Sequence, residues 1–244
     1  MASSFISLEL QRVQKQYTFS VTSEVFNMDC MEGMKQYPDK YFELAIVDPP
    51  YFNGPQKPGY YAGTKQRCEV GEYKDLNESW DIPEQPYFDE LIRVSENQII
   101  WGINYFNTSM PGGRIVWVKG IQGSPFSMAD IAYQSFYNRI DLFKYTWSGF
   151  WQEAGKTREH RIHPTQKPVA LYKWLLQNYA KPGDKILDTH LGSGSSRIAA
   201  YDMGFDFTGF EIDKDYFEAQ EKRFNDFKKQ LTLFPVAAVD KQQQ

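Results

Sequence analysis

The stretch DKILDTHLGSGSSRIAAYDMGFDFTGFEID, residues 184–213, decides how the chain folds. Ile186 and Leu187 form a short apolar strand that stops at Asp188. A run of glycine and serine follows, then a helix from about Ser196 that ends at Gly204. The segment FDFTGFEID reads as the next strand, ending in Glu211. Beyond it Phe217, Phe224, Phe227 and Leu231 recur at helical spacing, a stripe expected to face a sheet.

The same grammar runs through the N-terminal half. EVFNMDC is a strand ending in Asp29, and FELAIVD is a strand ending in Asp48. NQIIWG and RIVWVKG are further strand candidates, the first after a helix at Tyr87–Val94. Val169, Tyr172, Leu176 and Tyr179 predict a helix with Thr165 near its start and Lys181-Pro182-Gly183 at its close. Strands alternating with helices imply an α/β fold, a mostly parallel sheet covered on both faces. The 244 residues suffice for one large domain, and no internal repeat is visible. Residues 52–80 are rich in Gly, Pro and polar side chains and are expected to form a mobile active-site loop.

Composition removes several classes. No apolar run approaches the roughly 20 residues needed to cross a membrane, so no membrane partner is expected. The N-terminus is mixed polar and does not read as a secretory signal, which points to the cytoplasm. Two cysteines, Cys30 and Cys68, are expected as free thiols. The three histidines lack metal-ligand spacing, so no metal is expected. The net charge is −4, yet residues 139–173 carry Arg139, Lys144, Lys156, Arg158, Arg161, Lys167 and Lys173 against only Asp141, Glu153 and Glu159. A basic segment on an acidic body suits either an edge that faces DNA or a solvated loop.

In open α/β sheets, ligands bind outside the carboxyl ends of the strands. Asp29, Asp48, Asp188 and Glu211 are all read at such ends. Four acids on one rim would repel phosphate and welcome hydroxyls, amino groups and a cation. Gly192 and Gly194 would let a ligand approach the backbone closely. The turn lacks the lysine of a phosphate-binding loop, and Arg197 stands where a dinucleotide fingerprint needs a third small residue. Glu211 lies 19 residues after Gly192, a distance suited to an acid that takes a ribose diol. The ligand that satisfies these conditions is S-adenosylmethionine.

Leu44–Phe52, LAIVDPPYF, then acquires a chemical reading. An exocyclic amino group on a base is a poor nucleophile because its lone pair is delocalised into the ring. A carboxylate (Asp48) and a carbonyl (Pro49) accepting its two N–H bonds would localise that lone pair. The Pro49 ring fixes φ, and Pro50 restricts Pro49 to extended conformations, so the carbonyl direction is preset. Tyr51 offers a flat face for an unstacked base.

On these residues the sequence resembles the β group of DNA amino-methyltransferases, the circularly permuted, adenine-specific type in which Asp-Pro-Pro-Tyr precedes the glycine motif. The resemblance covers nearly the whole chain. It implies a Rossmann-like S-adenosylmethionine-dependent methyltransferase fold with a seven-stranded sheet. It assigns Asp48, Pro49, Pro50 and Tyr51 to catalysis, and it puts Trp101, Gly102 and Asn104 in the target pocket. It assigns to the cofactor Asp29 and Cys30 of NMDC, Thr165, Lys167 and Pro168 of HPTQKP, and Asp188, His190, Leu191, Gly192, Ser193 and Gly194 of LDTHLGSG, with Glu211 as the ribose acid. Two departures stand out. Thr189 and His190 replace the usual proline and phenylalanine, and the recognition segment, 122–161, is short. Arg139, Lys144, Lys156, Arg158 and Arg161 are its candidates for DNA contact. The implied activity is methylation of the N6 amine of a flipped adenine in double-stranded DNA. Alternatives are cytosine N4, RNA, a protein amide, or a silent binding module. The resemblance allows a homodimer.

Overall fold

The structure, a computed structural model, describes residues 21–51, 81–120, 127–147, 152 and 158–233. The strands are β1 (Ser23–Asn27), β2 (Phe42–Val47), β3 (Ser95–Trp101), β4 (Gly113–Val118), β5 (Ala129–Gln134), β6 (Ile140–Lys144), β7 (Lys185–Asp188) and β8 (Asp206–Glu211). They join in one sheet, ordered β1-β8-β7-β2-β3-β5-β4-β6. Every neighbouring pair is parallel except the two made by β5, which runs antiparallel to β3 and β4. The carboxyl ends of the other seven strands therefore lie along a single edge.

The helices are α1 (Cys30–Met34), α2 (Gln85–Val94), α3 (Val169–Tyr179), α4 (Ser195–Asp202) and α5 (Lys214–Leu233). Pro86 in the first turn of α2 spares a hydrogen bond the helix would not make there. The sheet is buried on both faces, and so its central strands read as unbroken apolar runs. Leu44 and Ile46 of β2 join Ile99 and Trp101 of β3 under α3 and α4, against Leu171, Leu175 and Ala199. Ala45, Val47 and Ile100 face the other way, against Phe88, Leu91 and Val94 of α2 and Met34 of α1. Among the described residues, no helix is long and apolar enough to cross a membrane.

Two expectations need correction. The sheet has eight strands where seven were expected, because β6 adds in parallel beside β4. Residues 122–161 were expected as an insertion, but β5 and β6 fall inside that range and belong to the sheet. The edge strand β6 exposes Ile140 and Leu142 and buries only Phe143, so its pattern carried no clean alternation. The stripe on α5 holds in part: Phe224 is buried as expected, with Tyr216 and Gln220 at intervals of four, while Phe217 and Phe227 are half-buried. Residues 52–80 lie outside the described residues.

Leu175 is fully buried beneath the sheet. Leu175→Ala is expected to cost about 2–5 kcal/mol, transfer and cavity combined, read as a lower urea midpoint with an unchanged slope.

Candidate active site

From β7 the chain passes through α4 to β8, on one side, and from β2 through α2 to β3, on the other. β7 and β2 are paired, so they mark the point where strand order reverses and where open sheets hold ligands. A cavity of about 380 Å³ opens there, within the range of small-molecule sites.

Of the residues assigned to a cofactor from sequence, Asp29, Cys30, Thr165, Lys167, His190, Leu191, Gly192, Ser193 and Glu211 line this cavity. Pro168, Asp188 and Gly194 do not. Asp188 is 1% exposed, and its two oxygens accept from the His190 N–H (3.0 Å) and the Ser196 hydroxyl (2.5 Å). Its work is to brace the turn, so three carboxylates of the expected four reach the cavity. Asp29 serves twice: it lines the wall and caps α1 by accepting from the N–H groups of Met31 (2.9 Å) and Glu32 (3.2 Å).

The glycine turn is shaped by its acids. Gly192 and Gly194 have φ of +51° and +70°, where other residues are strained. The Gly192 N–H donates to Glu211 (2.7 Å), whose second oxygen accepts from Asp213 N–H (2.9 Å). A side chain at Gly192 would start in contact with the His163 ring, 3.5 Å away, on the cavity wall. Burial pushes Glu211 up to about 7 and Asp188 up to about 7. The two imidazoles at the cavity move the other way: burial pushes His190 down to about 4 and His163 down to about 3, so both are neutral at pH 7.

Asp48 stands directly after β2 and lines the same cavity. One oxygen pairs with the Lys167 ammonium. The other, Oδ1, is buried and has no hydrogen-bond partner among the described residues. Burial raises the Asp48 carboxyl, and Lys167 opposes that rise. Pro50 lines the cavity and Pro49 is buried. Tyr51 lies beside them, stacked on Tyr105 with ring centroids 5.0 Å apart and 12° between planes. Gly102 makes room for it: at φ +73°, an added Cβ would stand 2.3 Å from the Tyr51 ring. Trp101, expected in the pocket wall, is instead fully buried, and Asn104 is exposed.

Tyr87 was missed from sequence, although it lines the cavity. Its hydroxyl meets Thr189 Oγ1 at 2.6 Å, and that oxygen meets His190 Nδ1 at 2.9 Å. The two residues that depart from the family pattern are thus tied to α2. Pro83 and Pro86, which fix the chain's entry into α2 and also line the cavity, were the available signal.

The basic candidates are scattered. Lys144 ends β6, exposed, on the edge that carries the cavity. Arg139 precedes β6 and so lies at the opposite edge, where it pairs with Asp141 (3.0 Å) and covers the Tyr137 ring. Arg158 is exposed, Arg161 is half-buried and donates to the Pro164 carbonyl, and Lys156 lies outside the described residues. Among the described residues, no cluster of His, Cys, Asp or Glu could hold a metal ion.

The family model of N6/N4 methyltransferases described as DNA methylase matches residues 74–222, more than half of the chain. The type II methyltransferase M.HinfI of Haemophilus influenzae is 24% identical, across 82% of this chain and 67% of its own length. The M1.HpyAVI–SAM complex superposes with a TM-score of 0.50 at 19% identity, covering 82% of this chain and 98% of that one. The cytosine-N4-specific PvuII DNA methyltransferase superposes with a TM-score of 0.54 at 13% identity, covering 86% and 93%. At such identities the two structures speak for the fold. The family match, on a chain whose strand ends converge on an acid-lined cavity beside Asp-Pro-Pro-Tyr, makes this chain a member of the DNA methylase family of N6/N4 methyltransferases.

Proposed function

We propose that this DNA methylase transfers a methyl group to the N6 amine of an adenine flipped out of double-stranded DNA. The observation that carries the reading is the buried, unpartnered Oδ1 of Asp48, a residue of the cavity wall: an acceptor awaiting a donor. The family's methyl source is S-adenosylmethionine, which when bound supplies an electrophilic methyl on a sulfonium. The cavity suits it: carboxylates of Asp29 and Glu211 accept from hydroxyl and amino groups, and the Gly192 backbone allows a close approach. The permuted order is supported by Asp48–Tyr51 preceding the glycine turn in the chain. The initial Asp leans toward adenine, though the same geometry serves the amine of cytosine.

The residues act by position and charge. Asp48 Oδ1 and the Pro49 carbonyl accept the two amine N–H bonds and localise the nitrogen lone pair. The new N–C bond forms as the S–C bond breaks, and the nitrogen then releases its extra proton to solvent. No covalent enzyme intermediate is needed. Tyr51 and Tyr105 supply the aromatic surface for the extruded base, worth roughly 1–3 kcal/mol per stacked base. The whole chain acts as one catalytic domain, with target recognition drawn from the 122–161 segment and with 52–80 as an active-site loop.

Incubation with mixed-sequence DNA and labelled S-adenosylmethionine, followed by nucleoside mass spectrometry, is expected to yield N6-methyl-2′-deoxyadenosine. N4-methyl-2′-deoxycytidine would transfer the mechanism to the other base. Asp48→Asn is expected to lower the single-turnover rate about 100- to 1000-fold with DNA binding unchanged, as for a lost transition-state partner.

Cofactor binding is expected to depend on pH through Glu211. Hydroxyl donors favour the ionised carboxylate, and burial pushes this one up to about 7. Affinity for S-adenosylhomocysteine should rise with pH to about 7 and then level, with proton release in calorimetry at pH 6. Glu211→Ala should abolish that dependence and weaken binding by roughly 1.5–3 kcal/mol per bond lost.

DNA affinity should fall steeply with salt. Lys144→Ala should reduce the log–log slope by about one, whereas Arg139→Ala, at the far edge, should leave it unchanged.

A further inference from the structure

The HPTQKP segment was assigned to the cofactor, and its lysine lines the cavity, but the lysine ammonium is engaged by Asp48. The Lys167 side chain is 3% exposed, and its ammonium pairs with Asp48. It also sits 5.7 Å from the centre of the Tyr51 ring and 5.6 Å from that of Trp101. Two aromatic faces and one carboxylate thus hold one cation, a geometry that is favourable when desolvated. Gly102 is what permits this arrangement, by letting Tyr51 close in.

The other groups that face Asp48 do little to replace this cation. Lys119, at the end of β4, is neutralised by Asp130 of β5 at 2.8 Å, and both act on Asp48 from a distance. Asp188 of β7 repels it. Tyr87 of α2 and Tyr172 of α3 are held neutral by burial. Lys167 is the cation in contact with Asp48 among the described residues.

We propose that Lys167 is the positioning residue of the acceptor-holding carboxylate: clamped between Tyr51 and Trp101, its ammonium holds Asp48 Oδ2, keeps the carboxylate ionised, and leaves Oδ1 to accept the target amine. This rests on the reading of Asp48 given above. A buried carboxylate without a cation takes up a proton, and a neutral acid neither localises the amine lone pair nor stabilises the positive charge that develops on nitrogen. The nearby ammonium partly offsets that stabilisation. Its gain is larger, because it decides whether a charge is present at all.

The test is the pH profile of single-turnover methyl transfer, from pH 5.5 to about 9, for wild type, Lys167→Met, Lys167→Gln and Lys167→Arg. Removal of the cation raises the pH at which Asp48 ionises, so the acid limb of Lys167→Met should move to higher pH. Its rate at pH 6 should drop about tenfold or more and recover as pH rises, since one opposite charge at contact typically moves a carboxyl by about 1–3 units. Lys167→Gln, which keeps a donor to Oδ2 but no charge, should shift in the same way and serves if the Met variant does not fold. Lys167→Arg should restore the wild-type limb. Affinity for S-adenosylhomocysteine should stay within about threefold in each. A profile superimposable on wild type, or a loss of cofactor affinity as large as the loss of rate, overturns the inference and returns Lys167 to the cofactor. Asp48→Asn at the normal rate would instead sink the reading of Asp48 itself.

Discussion

The Asp48–Lys167 ion pair joins parts of the chain that are far apart in sequence. Asp48 follows the strand β2, and Lys167 precedes the helix α3, which packs over β2 and β3. Two charges taken out of water cost several kcal/mol each, and their attraction repays this only with good geometry and satisfied remaining atoms. Here one carboxylate oxygen is left unsatisfied among the described residues. A pair kept for stability alone would gain by being replaced with apolar side chains. The desolvation of both charges and the unpartnered oxygen are costs that make sense if the pair is kept for what Oδ1 accepts.

The same trade runs along the rest of the rim. A parallel sheet buried on both faces leaves polar side chains few places except the strand ends. Each acid there is first claimed by backbone N–H groups: Asp29 by α1, Asp188 by the glycine turn, Glu211 by Gly192 and Asp213. A carboxylate has about four acceptor positions, so Asp29 and Glu211 can shape a turn and still meet a ligand. Asp188 lies too deep for that. Its burial serves the position of Thr189 and His190, which connect through Tyr87 to α2. His190 is therefore a neutral ring fixed at one nitrogen, and it packs against Tyr87 with centroids 5.4 Å apart.

What the sequence disclosed follows from how locally each feature is determined. The β7–turn–α4–β8 unit was legible because its strand, positive-φ glycines and closing Gly204 are each written within a few residues. Asp48 was legible because two prolines leave its neighbours little conformational choice. The buried face of α5 was legible at Phe224 and not at Gln220, which occupies its centre. That glutamine is fully buried to receive Arg197 (3.0 Å), a partner 23 residues away that no periodicity announces. The partner of Lys167 was hidden for the same reason: its pairing depends on which strand ends beside α3.

Charge shows most clearly how position along a strand outweighs proximity in sequence. Arg139 and Lys144 stand five residues apart and looked like one basic cluster. A strand of this kind rises about 3.3 Å per residue, so the two lie roughly 16 Å apart, on opposite edges of the sheet. That exceeds the Debye length of about 8 Å at physiological salt, and the Arg139 charge is further masked by Asp141. An acidic protein can therefore present DNA with a basic edge only through residues at strand carboxyl ends and in the loops beyond them. The parallel direction of seven strands puts those ends on the side that carries Asp48 and the cavity.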